Sequence, residues 1–264
     1  RLKMQKAILA SCVFAIVLIG HMSARASNVA QIPFGRHLVF PPAQLPCQAA
    51  VVWLHGFGDD PEGWASGFHS ARRKHPQWKW LHLRARELPQ TCYNGQRVPG
   101  WGDYHDDGCT RIGSPDYDNT AIVAETTLEE IHRIVDELQA KDGLPPERIV
   151  IGGFSMGATT AAESFLRYNK RLAGLVMLNG WLLPGARSAL EAFPVKDLQV
   201  LVSHGSEDEQ VGFDCGQKAV ELFREAGASV QFEVQDGQTH VQSGFGQGKE
   251  HALQFLATVL GSTK

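Results

Sequence analysis

The chain is poor in cysteine, in long hydrophobic runs and in charge of one sign. Five of its 264 residues are cysteines. No two of them stand at the spacing of a zinc ribbon or finger, which excludes a structural zinc site. Lys and Arg number 25 against 28 Asp and Glu, for a net charge of −3. A surface with no basic excess does not hold a polyanion, so nucleic acid is excluded as a partner. The short basic run Arg72–Arg73–Lys74, near Trp78 and Trp80, reads as a solvated helix end. Past residue 26 no segment is long and apolar enough to cross a bilayer. Internal repeats and low-complexity tracts are absent, which excludes a solenoid. There is no N-x-Ser/Thr sequon.

What is present begins with a leader. Lys3, Met4 and Lys6 precede an apolar stretch of 14 residues, 7–20, and Ala24–Arg25–Ala26 follows before Ser27. Basic, apolar, then a small-x-small site is the order of a secretory signal peptide. Residues 1–26 are read as that signal, with initiation at Met4. Export or delivery to an endomembrane lumen follows; without a working signal the chain stays in the cytoplasm. Residues 27–47 read as a lead-in with one short strand at 36–40. Residues 48–264, in a chain that is 43% apolar, form one domain with a single large core. The mature chain keeps Cys47, Cys92, Cys109 and Cys215, an even number that predicts two disulfides in three possible pairings. Cys92 with Cys109 is favoured, because both flank one loop-rich segment, and Cys47 with Cys215 is the remainder.

From residue 49 apolar runs alternate with amphipathic stretches. Strands are expected at 51–54, 80–83, 149–152, 175–178, 200–203 and 230–234, and helices at 127–138, 158–168, 214–226 and 250–260. Residues 84–117 show no period and read as a long loop. Unbroken apolar strands alternating with helices predict an α/β fold, a mostly parallel sheet covered on both faces. Ligands of such sheets bind beyond the carboxyl ends of the strands, so the residues just after each run carry the functional reading.

Gly153–Phe154–Ser155–Met156–Gly157 follows one of these runs. A serine between glycines at a strand-to-helix junction sits on a strained turn that exposes its Oγ. His204–Gly205–Ser206–Glu207–Asp208 follows a second run, Gly237–Gln238–Thr239–His240 a third, and His55–Gly56–Phe57–Gly58–Asp59 a fourth. A serine hydroxyl needs an imidazole to take its proton, and the imidazole needs a carboxylate to fix its tautomer. Ser155, His240 and Asp208 fill these roles in the order Ser, Asp, His, with Glu207 the alternative acid. The oxyanion needs two N–H donors, and Met156 and Phe57 are placed to give them. His55 reads as a structural partner of the oxyanion loop. His204 reads as a packing or hydrogen-bonding residue. Asp103, His105, Asp106 and Asp107 read as a solvated loop, and no metal or organic cofactor is called for.

Leu54–His55–Gly56–Phe57–Gly58–Asp59 with Gly63–Trp64 resembles the opening motif of the phospholipase/carboxylesterase family, which includes the acyl-protein thioesterases. Trp101–Gly102–Asp103, the serine pentapeptide, His204–Gly205 with Asp208–Val211, and Gly237 with His240 follow in that family's order, from about residue 49 onward. The resemblance implies an α/β-hydrolase fold, a Ser155–Asp208–His240 triad, and action on carboxylic esters, lysophospholipids or acyl thioesters; the sequence has no large insertion to form a lid domain. Two positions depart from the family: Met156 stands where Gln is usual, and Gly102 replaces an aromatic ring. The second departure is expected to widen the acyl site.

The expected function is that of an exported serine esterase. Its acyl site is drawn near Phe57, Trp64, Trp101, Met156, Trp181, Leu182 and Val211, several of which could equally be core residues. Its partner is a small-molecule or lipid ester, and a transient contact with a membrane surface and the oligomeric state are left open. A polysaccharide-ester (acetyl or feruloyl) hydrolase and a non-catalytic binding protein for a lipid or small molecule are the alternatives.

Overall fold

A computed structural model describes residues 37–106, 109–192, 196 and 198–261. The expected signal segment therefore lies outside the described residues.

Nine strands are described: β1 Leu38–Phe40, β2 Ala49–Leu54, β3 Trp78–Leu83, β4 Arg86–Gln90, β5 Gln96–Gly100, β6 Ile149–Phe154, β7 Gly174–Leu178, β8 Gln199–Gly205 and β9 Ser229–Gln235. The helices are α1 Pro61–Gly67, α2 His69–Lys74, α3 Glu125–Asp142, α4 Met156–Arg167, α5 Pro184–Ala192, α6 Phe213–Glu225, α7 His240–Ser243 and α8 Lys249–Gly261. Seven strands form one sheet in the order β1-β3-β2-β6-β7-β8-β9. All neighbours in it run parallel except β1, which is antiparallel to β3. The chain thus has the α/β-hydrolase architecture, with no lid domain among the described residues.

Period-two side-chain alternation divides the core between the two faces. On β2, Ala50, Val52 and Leu54 face α3, α4, α5 and α6, while Ala49, Val51 and Trp53 face α1, α2 and α8. The predicted apolar face of α3, Leu128, Ile131, Ile134, Val135 and Leu138, is buried as expected. Gly143 ends that helix at φ 67, a left-handed position that suits glycine. The basic run Arg72–Lys74 is the last turn of α2.

Three expectations need correction. The long loop 84–117 contains a hairpin, β4–β5, turned at Asn94 and Gly95, with φ of 53 and 84. Pro89, Pro99 and exposed charges mask its alternation, but Asn-Gly is a strong hairpin turn. The lead-in contributes β1 to the main sheet, so the domain starts before residue 48. None of Cys47, Cys92, Cys109 and Cys215 is disulfide-bonded. Cys47 precedes β2 at the amino edge of the sheet, whereas Cys215 lies on α6, which follows the carboxyl edge of β8. Cys92 N donates to Tyr104 O, while Thr110, beside Cys109, is bound instead to Gln210 and Gly212. Short backbone bonds thus tie Cys92 and the residue next to Cys109 to different segments.

Two core histidines make the fold acid-sensitive. His82 on β3 is fully buried among the rings of Phe40, Phe68 and Trp80, and neither ring nitrogen has a partner among the described residues. Burial, helped by the Arg72 charge, pushes its pKa down to about 3. Burial likewise pushes His55 down to about 4. Both stay neutral in the folded chain, where an unfolded histidine takes up a proton below about 6.5. The unfolded state then binds more protons, so stability rises with pH from about 4 to 6.5 and falls as acid is added. His82→Leu removes one of these protons. Urea unfolding at pH values across that window is expected to show a slope of stability on pH lower by about 1.4 kcal/mol per unit. An unchanged slope would refute the assignment to His82.

Candidate active site

Ser155 follows β6 directly and holds φ 56, ψ −126, a strained conformation for a residue with a side chain. The flanking glycines make this turn fit. A Cβ on Gly157 would meet His55 O at 2.3 Å and Leu54 O at 2.5 Å, and one on Gly153 would meet Gly157 O at 2.5 Å. The first turn of α4 therefore lies directly on the end of β2. Ser155 N donates to Leu178 O at 2.8 Å, which ties the turn to β7 as well. The same contact brings the serine to the oxyanion loop: Ser155 Cβ is 3.6 Å from where a Cβ of Gly56 would stand.

Asp208 and His240 meet beyond β8 and β9. His240 Nδ1 donates to Asp208 Oδ2 at 2.7 Å, and both side chains are buried. The acceptor-only carboxylate places the proton on Nδ1 and leaves the Nε2 lone pair free to accept one. Asp208 Oδ1 accepts from Gln210 N at 2.9 Å and Val211 N at 2.8 Å. His204 Nε2 lies 3.2 Å from Asp208 Oδ2 and 2.9 Å from Val211 O, the hydrogen-bonding role expected of it. Burial alone would raise the Asp208 pKa, but the bonds from His204 and His240 outweigh it and hold the carboxyl well below the usual carboxylate range. Glu207 is exposed, whereas Asp208 is buried and bonded to His240. The acid and base loops approach closely because residue 205 is glycine; a Cβ there would meet Gln238 O at 2.3 Å.

The oxyanion loop is braced from three sides. His55 accepts at Nε2 from Ala85 N at 3.1 Å, so its Nδ1 carries the proton and donates to Gly56 O at 2.7 Å. Trp101 Nε1 donates to His55 O at 2.8 Å. Gly58, at φ 70, donates to Pro99 O of the β4–β5 hairpin at 2.8 Å. Among the described residues, neither Phe57 N–H nor Met156 N–H donates to a backbone carbonyl. An imidazole with a free Nε2, a serine on a strained turn and two such donors have the parts needed for acyl transfer.

The side chains expected around the acyl group are closed in. Trp64, Trp181 and Val211 are at most 1% exposed, Leu182 is 2% and Trp101 is 3%. Trp64 donates to Asp59 Oδ2 at 2.8 Å and packs on Trp53, Phe68, Phe154 and Phe245, so it is a core residue that supports Phe154, itself in contact with the His240 ring. Trp101 braces the oxyanion loop. Asp103 accepts from Thr91 N and Thr91 Oγ1, both at 2.7 Å. Gly102 corrects an expectation: it does not widen the site. Its α-carbon lies against the 3₁₀ turn Thr120–Ile122, whose backbone fills the space.

One polar residue of this cluster was not anticipated. Asn179 follows β7 as the other groups follow their strands, and its Nδ2 donates to Asp208 Oδ2 at 2.6 Å. Its place after the apolar run 175–178 was the available signal.

The family profile described as phospholipase/carboxylesterase matches residues 37–260. A probable carboxylesterase of Oryza sativa subsp. japonica is 34% identical over 212 residues, 75% of this chain and 76% of that protein. Acyl-protein thioesterase 1 of Neurospora crassa is 31% identical over 211 residues, 76% of this chain and 84% of that protein. The crystal structure of Arabidopsis thaliana SOBER1 superposes with a TM-score of 0.69 at 30% identity, covering 80% of this chain and 99% of that one.

Gly102→Ala tests the filled space beside Trp101. Its Cβ would lie 2.1 Å from Ala121 O and 2.5 Å from Ile122 O. A loss of about 3 kcal/mol in urea unfolding is expected, the upper end of the overpacking range. Wild-type stability would mean that the glycine leaves room after all.

Proposed function

The chain belongs to the phospholipase/carboxylesterase family, and on that premise we propose that it hydrolyses carboxylic esters and thioesters through an acyl-enzyme on Ser155. The observation that carries this reading is the 2.7 Å bond from His240 Nδ1 to Asp208, at the same sheet edge as the strained serine. His240 Nε2 takes the Ser155 proton as Oγ attacks the acyl carbon. Asp208 stabilises the resulting imidazolium. Phe57 N–H and Met156 N–H hold the oxyanion, and a lost donor of this kind costs about 3 kcal/mol of transition-state stabilisation. His240 then protonates the leaving alcohol or thiol. Water enters, gives its proton to the same nitrogen and releases the acid.

The burial of Trp181, Leu182 and Val211 supports short acyl groups as substrates, since a long chain would have to displace them. The order of basic, apolar and Ala-x-Ala residues before Ser27 supports export, which puts the substrate outside the cytosol.

A fluorophosphonate probe is expected to label Ser155 in the folded protein. Ser155→Ala should abolish labelling and lower kcat by about four orders of magnitude or more. A Ser155→Ala variant that still turns over would refute the reading. In a panel of p-nitrophenyl esters with matched thioesters, acetate and butyrate are expected to exceed palmitate in kcat/KM. Faster palmitate cleavage would overturn the short-acyl assignment. For export, mass spectrometry of the protein made by a secreting host is expected to find Ser27 at the mature terminus. A protein retained in the cell with residues 4–26 intact would overturn it.

A further inference from the structure

Five adjacent strands of the sheet, β2, β6, β7, β8 and β9, end at the candidate site. Four supply Phe57, Ser155, Asp208 and His240, and the middle one supplies Asn179. This residue is fully buried and holds φ 54, a left-handed position that few side chains tolerate. Its amide bridges two groups: Nδ2 donates to Asp208 Oδ2 at 2.6 Å and to Ser243 Oγ at 2.6 Å. Ser243 Oγ in turn donates to His240 O at 3.1 Å. The chain of bonds fixes its own direction, because a carboxylate only accepts and the Ser243 proton is already committed to His240 O. Asn179 Oδ1 has no partner among the described residues. Flipping the amide to relieve that atom would set an oxygen against the Asp208 carboxylate, so the unsatisfied acceptor is a consequence of holding the acid.

We propose that Asn179 is a positioning residue, which locks the Asp208 carboxylate and, through Ser243, the turn carrying His240 into mutual register. The proposal rests on the hydrolase reading above. Without the amide, Asp208 keeps His204, His240 and two backbone donors, so it stays buried and bound. What is lost is the tie between acid and base turn. The carboxylate also loses one donor and carries more negative charge toward the imidazole, which favours the protonated ring. The titratable and charged groups at this point, besides Asp208, are His204, His240, Glu209, whose Oε2 accepts from His240 N at 3.3 Å, and Arg111, whose guanidinium donates to the carbonyl oxygens of Asp208 and Glu209.

Asn179→Gly is the decisive variant, because glycine takes the left-handed backbone without steric strain while the side chain and its amide are deleted. With p-nitrophenyl acetate as substrate, kcat is expected to fall about 10- to 100-fold, the loss typical of a bond to a charged group, with KM within about twofold. The acid limb of the kcat/KM profile should move to higher pH. Asn179→Ser keeps one donor and should recover part of kcat. A glycine variant with wild-type kcat and an unmoved acid limb would mean that Asn179 serves only the backbone turn. Should the glycine variant fail to fold, a serine variant with wild-type kcat and acid limb would overturn the proposal equally. Ser155→Ala in the same assay separates the two claims. If it still turns over, the hydrolase reading fails. If it is dead while Asn179→Gly is normal, only the role of Asn179 fails.

Discussion

The contact between the start of α4 and the end of β2 is the constraint from which the site follows. Helix and strand meet backbone to backbone, and only glycine at 153 and 157 permits it. That approach forces Ser155 into its strained turn and sets its side chain beside Gly56. It also sets the first residue of the helix, Met156, against the end of β2. Ser155 and the turn after β2 are thereby placed by one packing event. The strain at Ser155 persists because the surrounding backbone over-determines it.

Asp208 is the second centre, and it works by accumulation. Two backbone N–H groups of one loop, two histidines and one amide converge on a single carboxylate. Each bond is ordinary; together they outweigh the burial that would otherwise neutralise the acid. A carboxylate kept ionised inside a protein is a strong orienting charge, and His240 is oriented by it. The long segment after β3 acts on the same loop from outside. Thr110 pairs with Val211, and Arg111 reaches the carbonyl oxygens of Asp208 and Glu209.

Much of this was legible in the sequence because strand ends mark themselves. Ser155, Asp208 and His240 each follow an apolar run within a few residues, and the parallel sheet gathers such positions at one edge. Asn179 obeys the same rule but escaped, because Asn-Gly after a strand reads as a turn and its side chain carries no charge. The hairpin at 86–100 escaped because its prolines and charges hide the alternation, although Asn94–Gly95 announced its turn. The disulfides were misjudged because a cysteine count says nothing of where a fold puts each thiol. Gly102 was misread because a missing ring was taken for empty space, whereas here backbone moves in. Trp64 could be read from the sequence as core or as lining, and its burial agrees with core, while the bond from Trp101 Nε1 to His55 O could not be foreseen.

The position of β9 has a further consequence. It is the last strand, it lies at the edge of the sheet, and it pairs with β8 alone. Edge elements open locally at less free energy than the whole domain requires to unfold. The imidazole hangs from the loop that follows this strand, while the serine sits on the central β6. Fraying of one border would therefore separate base from nucleophile while the core stayed intact. The edge strand and the central strand thus carry His240 and Ser155 separately, so local opening of the sheet border would part the two side chains before the core gave way.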